Sequence, residues 1–302
     1  MENKQKYIGI KEAAKRWGIS DRRVRLLCQE GKIEGAIKLE WSWTIPADSP
    51  KPFDGRMMRR FKNHDLRLGS IDINTLNMLR EKYPLDKSRF EEFYYSPLFE
   101  GCLETALSLA NLSFDKHSIE SVLAGQIESN LTLSDHLLFV NFRSILSRSV
   151  LDSEEWDSKR IQDIHRFLSQ GIDDFRGGIF RDGVASTALR GKESLQVNFQ
   201  METLVRQFEK DWKALYPVFR ACIMYAEILR IRPFESLNEE LALLLMLIIL
   251  LQEGFRLPTL DASMKDELNA ATSLCFRRGN YQDLCRIIER SLIASYSENS
   301  YV

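Results

Sequence analysis

From residue 70 onward, apolar residues recur at spacings of three and four in long runs. They are "DINTLNMLREKY" (72–83), "FEGCLETALSLANLSF" (99–114), "SDHLLFVNFRSILSRSV" (134–150) and "DSEEWDSKRIQDIHRFLSQG" (152–171). That spacing places one apolar stripe on each segment and predicts amphipathic helices separated by turns. No strand-helix-strand alternation appears and no period of about 20 to 50 residues repeats, so neither a parallel sheet nor a solenoid is expected. The run "LALLLMLIILL" (241–251) is apolar on every side. Its 11 residues fall well short of the roughly 20 that span a bilayer, so it predicts a core helix. One stretch breaks the helical pattern: "GGIFRDGVASTALRGK" (177–192) sets short β-prone pieces between glycines and predicts a small β-hairpin or flap.

The first 50 residues follow a different pattern. In "KEAAKRW", Ala13, Ala14 and Trp17 share one face of a helix that Gly18 stops. Ser20 is a good N-cap for a second helix from Asp21 to about Glu30, ended by Gly31. On that helix Val24, Leu27 and Cys28 share one side, while Arg22, Arg25 and Gln29 point the other way. The following "AIKLEWSWTIP" (36–46) alternates like a two-stranded hairpin carrying Lys38, Trp41 and Trp43. Two helices joined by a tight turn and followed by a wing, over residues 7–46, resemble the winged helix-turn-helix of the MerR and excisionase type, through "KEAAKRWGIS", "RRVRLL" and "EGKIEGAIKL". The resemblance implies DNA binding, with Arg22, Arg25 and Gln29 at base edges and Ser20, Arg23, Lys32, Lys38 and Trp41 along the backbone. Glu40 beside Trp41 departs from the family's Gly and basic residue, which weakens the wing's grip on phosphate.

Charge sharpens this division. The whole chain carries a net −1, yet residues 1–63 hold 15 Lys/Arg against 8 Asp/Glu, a balance of +7, and the remainder holds 27 against 35, a balance of −8. A basic head on an acidic body is expected when only the head meets a polyanion. "ADSPKPFDGRMMRRFKN" (47–63), with its prolines, glycine and basic cluster, reads as the connection. The expected organisation is therefore a DNA-binding head over 1–50, a linker over 51–64 and a helical body over 65–302. Five cysteines without a CxxC pair argue against both a disulfide framework and a zinc cluster. No charged-apolar-small leader pattern opens the sequence, so a cytoplasmic, non-membrane protein is expected. None of His64, His117, His136 and His165 is spaced like a metal pair, so no metal site is expected, and His165 reads as structural.

The loop "IRPFESLNEE" (231–240) precedes the apolar helix. With "GGIFRDG" and "YPVFRACIMYAEILRIRPFESLNEELALLLMLIILLQEGFRLP", the body resembles the Fic (Fido-fold) family over roughly 65–290. The resemblance implies a mainly α fold: a winged helix-turn-helix followed by an all-helical Fic bundle with a small β-hairpin flap (177–192, with Gly178, Phe180 and Arg181). It also implies a motif, HPFxDGNGRxxR, over 231–243. The family transfers AMP from ATP to a protein hydroxyl, using the His as general base, the acid for magnesium and the glycines, Asn and first Arg as an anion hole. Here Arg232 stands at the His position, followed by the matching Pro233 and Phe234; Ser236 stands at the acid and Leu237 at the first Gly. Asn238 is retained; Glu239 replaces the second Gly, Glu240 the first Arg and Leu243 the second Arg.

Arginine stays protonated at physiological pH and cannot take a proton from a hydroxyl. Glu239 and Glu240, in the first helical turn after Asn238 as expected N-cap, complement the helix dipole by about 0.3 to 1 kcal/mol each. A phosphate ~4 Å from either would meet roughly 4 kcal/mol of repulsion at an effective dielectric of about 20. No catalytic residue is therefore expected, and no cofactor; ATP and magnesium enter only under the alternative reading, a protein adenylyltransferase or related nucleotidyl or phosphoryl transferase. "AGQIESNLTLSD" (124–135) resembles the family's inhibitory helix, (S/T)xxxE(G/N), and places Glu128 at the inhibitory Glu. Its usual Arg partner is Leu243 here, which leaves Arg232 as a new partner or no partner at all. The expectation is a non-adenylylating regulator or scaffold, bound to DNA through its head, forming a homo-oligomer and meeting a protein partner through its body.

Overall fold

The computed structural model describes residues 7–49 except 18, 30, 32, 34, 40 and 48, then 66–85, 116–151 except 124 and 130, 155–172, 177–181 and 197–297 except 261. The chain divides into two compact units, residues 1–65 and 66–302.

In the first unit, β1 (Tyr7–Gly9) leads into α1 (Ile10–Trp17), α2 (Asp21–Gln29), β2 (Ile37–Leu39) and β3 (Ser42–Pro46). The three strands form an antiparallel sheet in the order β1-β3-β2, with Ile8 opposite Ile45 and Lys38 opposite Trp43. Ser20 precedes α2 and its Oγ accepts from the Arg23 backbone N–H at 3.3 Å, supplying one of the helix's unpaired first-turn donors with a partner. Gly31 follows α2 at φ 66, the left-handed conformation that ends helices and that glycine adopts without steric cost. Ala13, Ala14, Trp17, Val24, Leu27 and Cys28 are buried together with Ile8 and Ile45, so the predicted helical faces meet the inner face of the sheet. β1 has no counterpart in the sequence reading: three residues carry too little alternation to register.

The second unit is helical. Its described helices are α3 (Ile73–Lys82), α4 (Lys116–Leu123), α5 (Leu133–Leu151), α6 (Ser158–Leu168), α7 (Val197–Glu209), α8 (Pro217–Ile231), α9 (Asn238–Gln252), α10 (Lys265–Arg278) and α11 (Gln282–Ser297). Hairpin-linked α8 and α9 form the centre; α5 packs on α9, and α7, α10 and α11 pack on α8. Every residue from Leu241 to Leu251 is buried, as an all-apolar helix requires. One set of buried polar groups in this core is paired within itself. The Arg230 guanidinium donates twice to Glu227 Oε2, at 2.9 and 2.7 Å, and once to Gln200 Oε1 at 2.8 Å, while the Tyr281 hydroxyl donates to Glu227 Oε1 at 2.7 Å. Four residues, from α7, α8 and the position just before α11, thus close one network out of water. Cys28, Cys222, Cys275 and Cys285 are buried free thiols, and no described helix is long and apolar enough to cross a membrane.

Candidate functional site

The site is built on the six-residue connection between α8 and α9. Helix α8 ends at Ile231, and Arg232 caps it in the left-handed region (φ 48, ψ 66), its backbone N–H donating to Ile228 O at 2.8 Å. Pro233 and Phe234 are buried; Leu237 turns left-handed again (φ 53, ψ 27) as the N-cap of α9. Among the described residues, these are the two non-glycine positions with positive φ. Side chains other than Gly and Asn disfavour that conformation by roughly 1 to 2 kcal/mol, so the loop holds strain at both ends.

Asn238 is not the N-cap the sequence predicts. It is the first helical residue, and its buried side chain turns back into the loop: Oδ1 accepts from the Phe234 N–H at 3.0 Å and Nδ2 donates to Phe234 O at 2.9 Å. The amide thereby replaces the backbone pairing that an irregular buried turn lacks. Residues 233–237 precede the helix, and Glu235 is exposed.

His165 of α6 lies beneath this loop. Its ring stacks on Phe234 at 3.7 Å between centroids and 8° between planes. The Gly178 N–H donates to Nδ1 at 3.0 Å, which leaves Nε2 to carry the proton toward Ser236 O at 3.2 Å. Burial holds its pKa down at about 4, opposed by the bond to Ser236. The sequence reading of His165 as structural accords with this placement, but its reach to the loop was missed. The available signal was a polar residue on the buried stripe of Ile161, Ile164 and Leu168.

Of the segment predicted as a flap, residues 177–181 are described. Gly177 and Gly178 form a turn, and Phe180 meets Phe234 at 5.2 Å. Arg181 ties the segment to the loop, its backbone N–H donating to Pro233 O at 2.9 Å, Nε to Arg232 O at 2.6 Å and Nη2 to Ile231 O at 3.2 Å. A cation on the carbonyl end of α8 also complements the helix dipole. A Cβ on Gly178 would stand 2.6 Å from Gln162 O, so the close approach of the turn to α6 requires glycine. The rest of the flap, 182–192, lies outside the described residues.

Arg232 and Glu239 face each other at 3.5 Å, each about half exposed. Burial, then the neighbouring Glu239 carboxylate, raises the Glu240 pKa, against the opposing pull of its own backbone N–H and, more weakly, of Arg232. The Ser236 hydroxyl is buried without a hydrogen-bond partner, and Leu243 is buried. Beside the loop opens a cavity of about 420 Å3, whose lining includes Arg232, Glu239 and Leu243. Glu128 is not joined to Arg232. It stands 4.0 Å from His117 Nε2, and its backbone N–H donates to His136 Nε2 at 3.1 Å.

In the first unit, Arg22, Arg25 and Gln29 are exposed along α2, Lys38 is exposed on β2, and Trp41 at the hairpin turn is 97% exposed. Ser20 is exposed and Arg23 half-buried; Lys32 lies outside the described residues. Among the described residues no group of His, Cys, Asp and Glu could hold a metal ion.

Residues 155–250, which contain α6, the loop and nearly all of α9, match the Fic/DOC family. Solved structures share the fold. Fic-1 (residues 134–508) from C. elegans superposes with a TM-score of 0.64 at 17% identity, covering 80% of this chain and 73% of that one. A Fic domain containing signaling protein from Bacteroides thetaiotaomicron gives 0.60 at 17%, covering 74% and 94%. A Fic family protein from Desulfovibrio desulfuricans gives 0.58 at 15%, covering 77% and 75%. Among curated protein sequences, none matches this chain.

Proposed function

We propose that the protein is a DNA-binding regulator whose Fic body has a degenerate motif and does not transfer AMP. The observation that carries this reading is Arg232, held left-handed at the end of α8 and paired with Glu239 where the family sets its catalytic base. A guanidinium cannot accept a proton from an attacking hydroxyl. His165 is no substitute, because both ring nitrogens are engaged by backbone groups beneath the loop. Magnesium and ATP do not fit the residues present. Ser236 offers a buried hydroxyl rather than a carboxylate, and Glu239 and Glu240 bring negative charge to the first turn of α9, where phosphates would need amide donors.

The DNA half of the proposal rests on the helix pair and three-stranded sheet of the first unit, read as a winged helix-turn-helix. Arg22, Arg25 and Gln29 stand exposed on one face of α2, and residues 1–63 carry a net balance of +7. Such a head works as a dimer on paired half-sites, which makes the body a scaffold for self-association or for a protein partner. In a mobility-shift assay the wild type is expected to retard DNA and the double variant Arg22→Ala, Arg25→Ala is not; an unchanged shift would discard the assignment. Incubation with α-labelled ATP is expected to label neither the protein nor a partner. Sustained labelling lost in Arg232→Ala would establish the adenylyltransferase reading instead.

A further inference from the structure

The exposed side chains of α2 are Arg22, Arg25, Leu26 and Gln29. At spacings of three, four and seven residues from Arg22 they form one stripe along the helix, away from the buried Val24, Leu27 and Cys28. Three members of the stripe are hydrogen-bonding side chains; Leu26 is apolar and 37% exposed. On α1 the exposed residues are Lys11, Glu12, Lys15 and Arg16, so Leu26 is the one apolar group among the exposed side chains of the helix pair. A single exposed leucine is ordinary on a protein surface. One set among two arginines and a glutamine, on the face that meets base edges, has chemistry to do there.

The edges of the base pairs sort these side chains. An arginine donates both its hydrogen bonds to guanine O6 and N7, and a glutamine pairs with adenine N6 and N7. Leucine offers no hydrogen bond, and the apolar group in the major groove is the C5-methyl of thymine. From Arg22 to Gln29 the stripe rises roughly 10 Å at 1.5 Å per residue, which is about three base-pair steps of 3.4 Å. We propose that Leu26 reads a thymine through its C5-methyl group, within a core of about four base pairs in which Arg22 and Arg25 read guanines and Gln29 an adenine. Resting on the DNA-binding reading of the first unit, this assignment makes Leu26 a specificity determinant that charge patterning alone does not reveal. Uracil keeps every hydrogen-bonding group of thymine and lacks only that methyl. Withdrawing one such group from water corresponds to about fourfold in affinity.

The test begins with selection of duplexes from a randomised library by the full-length protein. Mobility shifts on the selected sites then follow, with each thymine replaced in turn by deoxyuridine. Replacement of one thymine in the core is expected to weaken wild-type binding by about fourfold. Leu26→Ala is expected to bind the thymine and deoxyuridine duplexes equally, whereas Leu26→Met, which keeps an apolar reach, retains the difference. Both substitutions lie at an exposed position, and thermal midpoints equal to wild type are expected. The inference is overturned if no thymine in the selected sites responds to replacement, if Leu26→Ala responds as wild type does, or if a 5-methylcytosine·guanine pair at the responsive position binds more tightly than thymine·adenine. DNA bound without any such response sinks this inference alone. A library from which no duplex is retained sinks the DNA-binding reading as well.

Discussion

At the scale of single residues, His165 couples the loop to pH in a defined direction. Its folded pKa of about 4 lies below the roughly 6.5 of an unfolded chain. The native state therefore binds fewer protons than the unfolded state between these values, and stability falls as pH drops through that window. A shift of this size corresponds to roughly 3 kcal/mol, fully present above about pH 6.5 and lost by about pH 4. Urea denaturation across this range is expected to show a shallower decline in His165→Gln than in wild type; parallel curves would contradict the assignment. Asn238 is the second such residue. Asn238→Ala leaves a buried N–H and C=O of Phe234 unpaired, and a loss of about 2 to 3 kcal/mol is expected in the same assay. A change below roughly 0.5 kcal/mol, the size of an ordinary surface substitution, would show that the amide does not clamp the loop.

At the scale of elements, the α8-α9 hairpin depends on a charged pair that only a complete network tolerates. Glu227 and Arg230 are each less than a tenth exposed, and Gln200 and Tyr281 satisfy their remaining valences. Glu227→Ala strands the Arg230 cation in the core, with an expected loss of about 3 to 5 kcal/mol, whereas replacing both partners by methionine is expected to be close to neutral. Thermal melts of the single and double variants check this: equal destabilisation in both would mean that the charge is not the cause. The same hairpin shows how a strained turn is tolerated. Leu237 occupies a left-handed turn that favours glycine, at a cost that the burial of α9 outweighs.

At the scale of the whole molecule, charge is partitioned along the chain, with +7 in residues 1–63 and −8 in the rest. DNA affinity is therefore expected to fall steeply with salt. Lys38→Ala reduces the slope of log K against log salt by about 1 without changing sequence preference, whereas Arg22→Ala relaxes preference at one base pair. Mobility shifts over a salt series distinguish the two, and an unchanged slope in Lys38→Ala would remove the wing from the contact. Rebuilding the motif with Arg232→His, Ser236→Asp, Leu237→Gly, Glu239→Gly, Glu240→Arg and Leu243→Arg is expected to restore labelling by ATP if the scaffold is otherwise intact. Leu243 lines the cavity, so an arginine there can extend its guanidinium outward along an apolar stem.

Periodicity by itself determined the helical body, the faces of α1 and α2, and the burial of residues 241–251, because burial on one side or all sides must be written into residue spacing. That arginine stands at position 232 was equally legible, and that a guanidinium keeps its proton does not depend on the fold. Tertiary structure alone decided the rest. Asn238 turns inward to the loop instead of capping the helix, Arg232 selects Glu239 rather than Glu128, and His165, 71 residues from Ser236, becomes the support of the loop. Residues of α8, α9 and α10 are brought together around one cavity. These are pairings between segments distant in sequence, and a linear pattern records which face of a segment is buried but not which polar group waits on the other side.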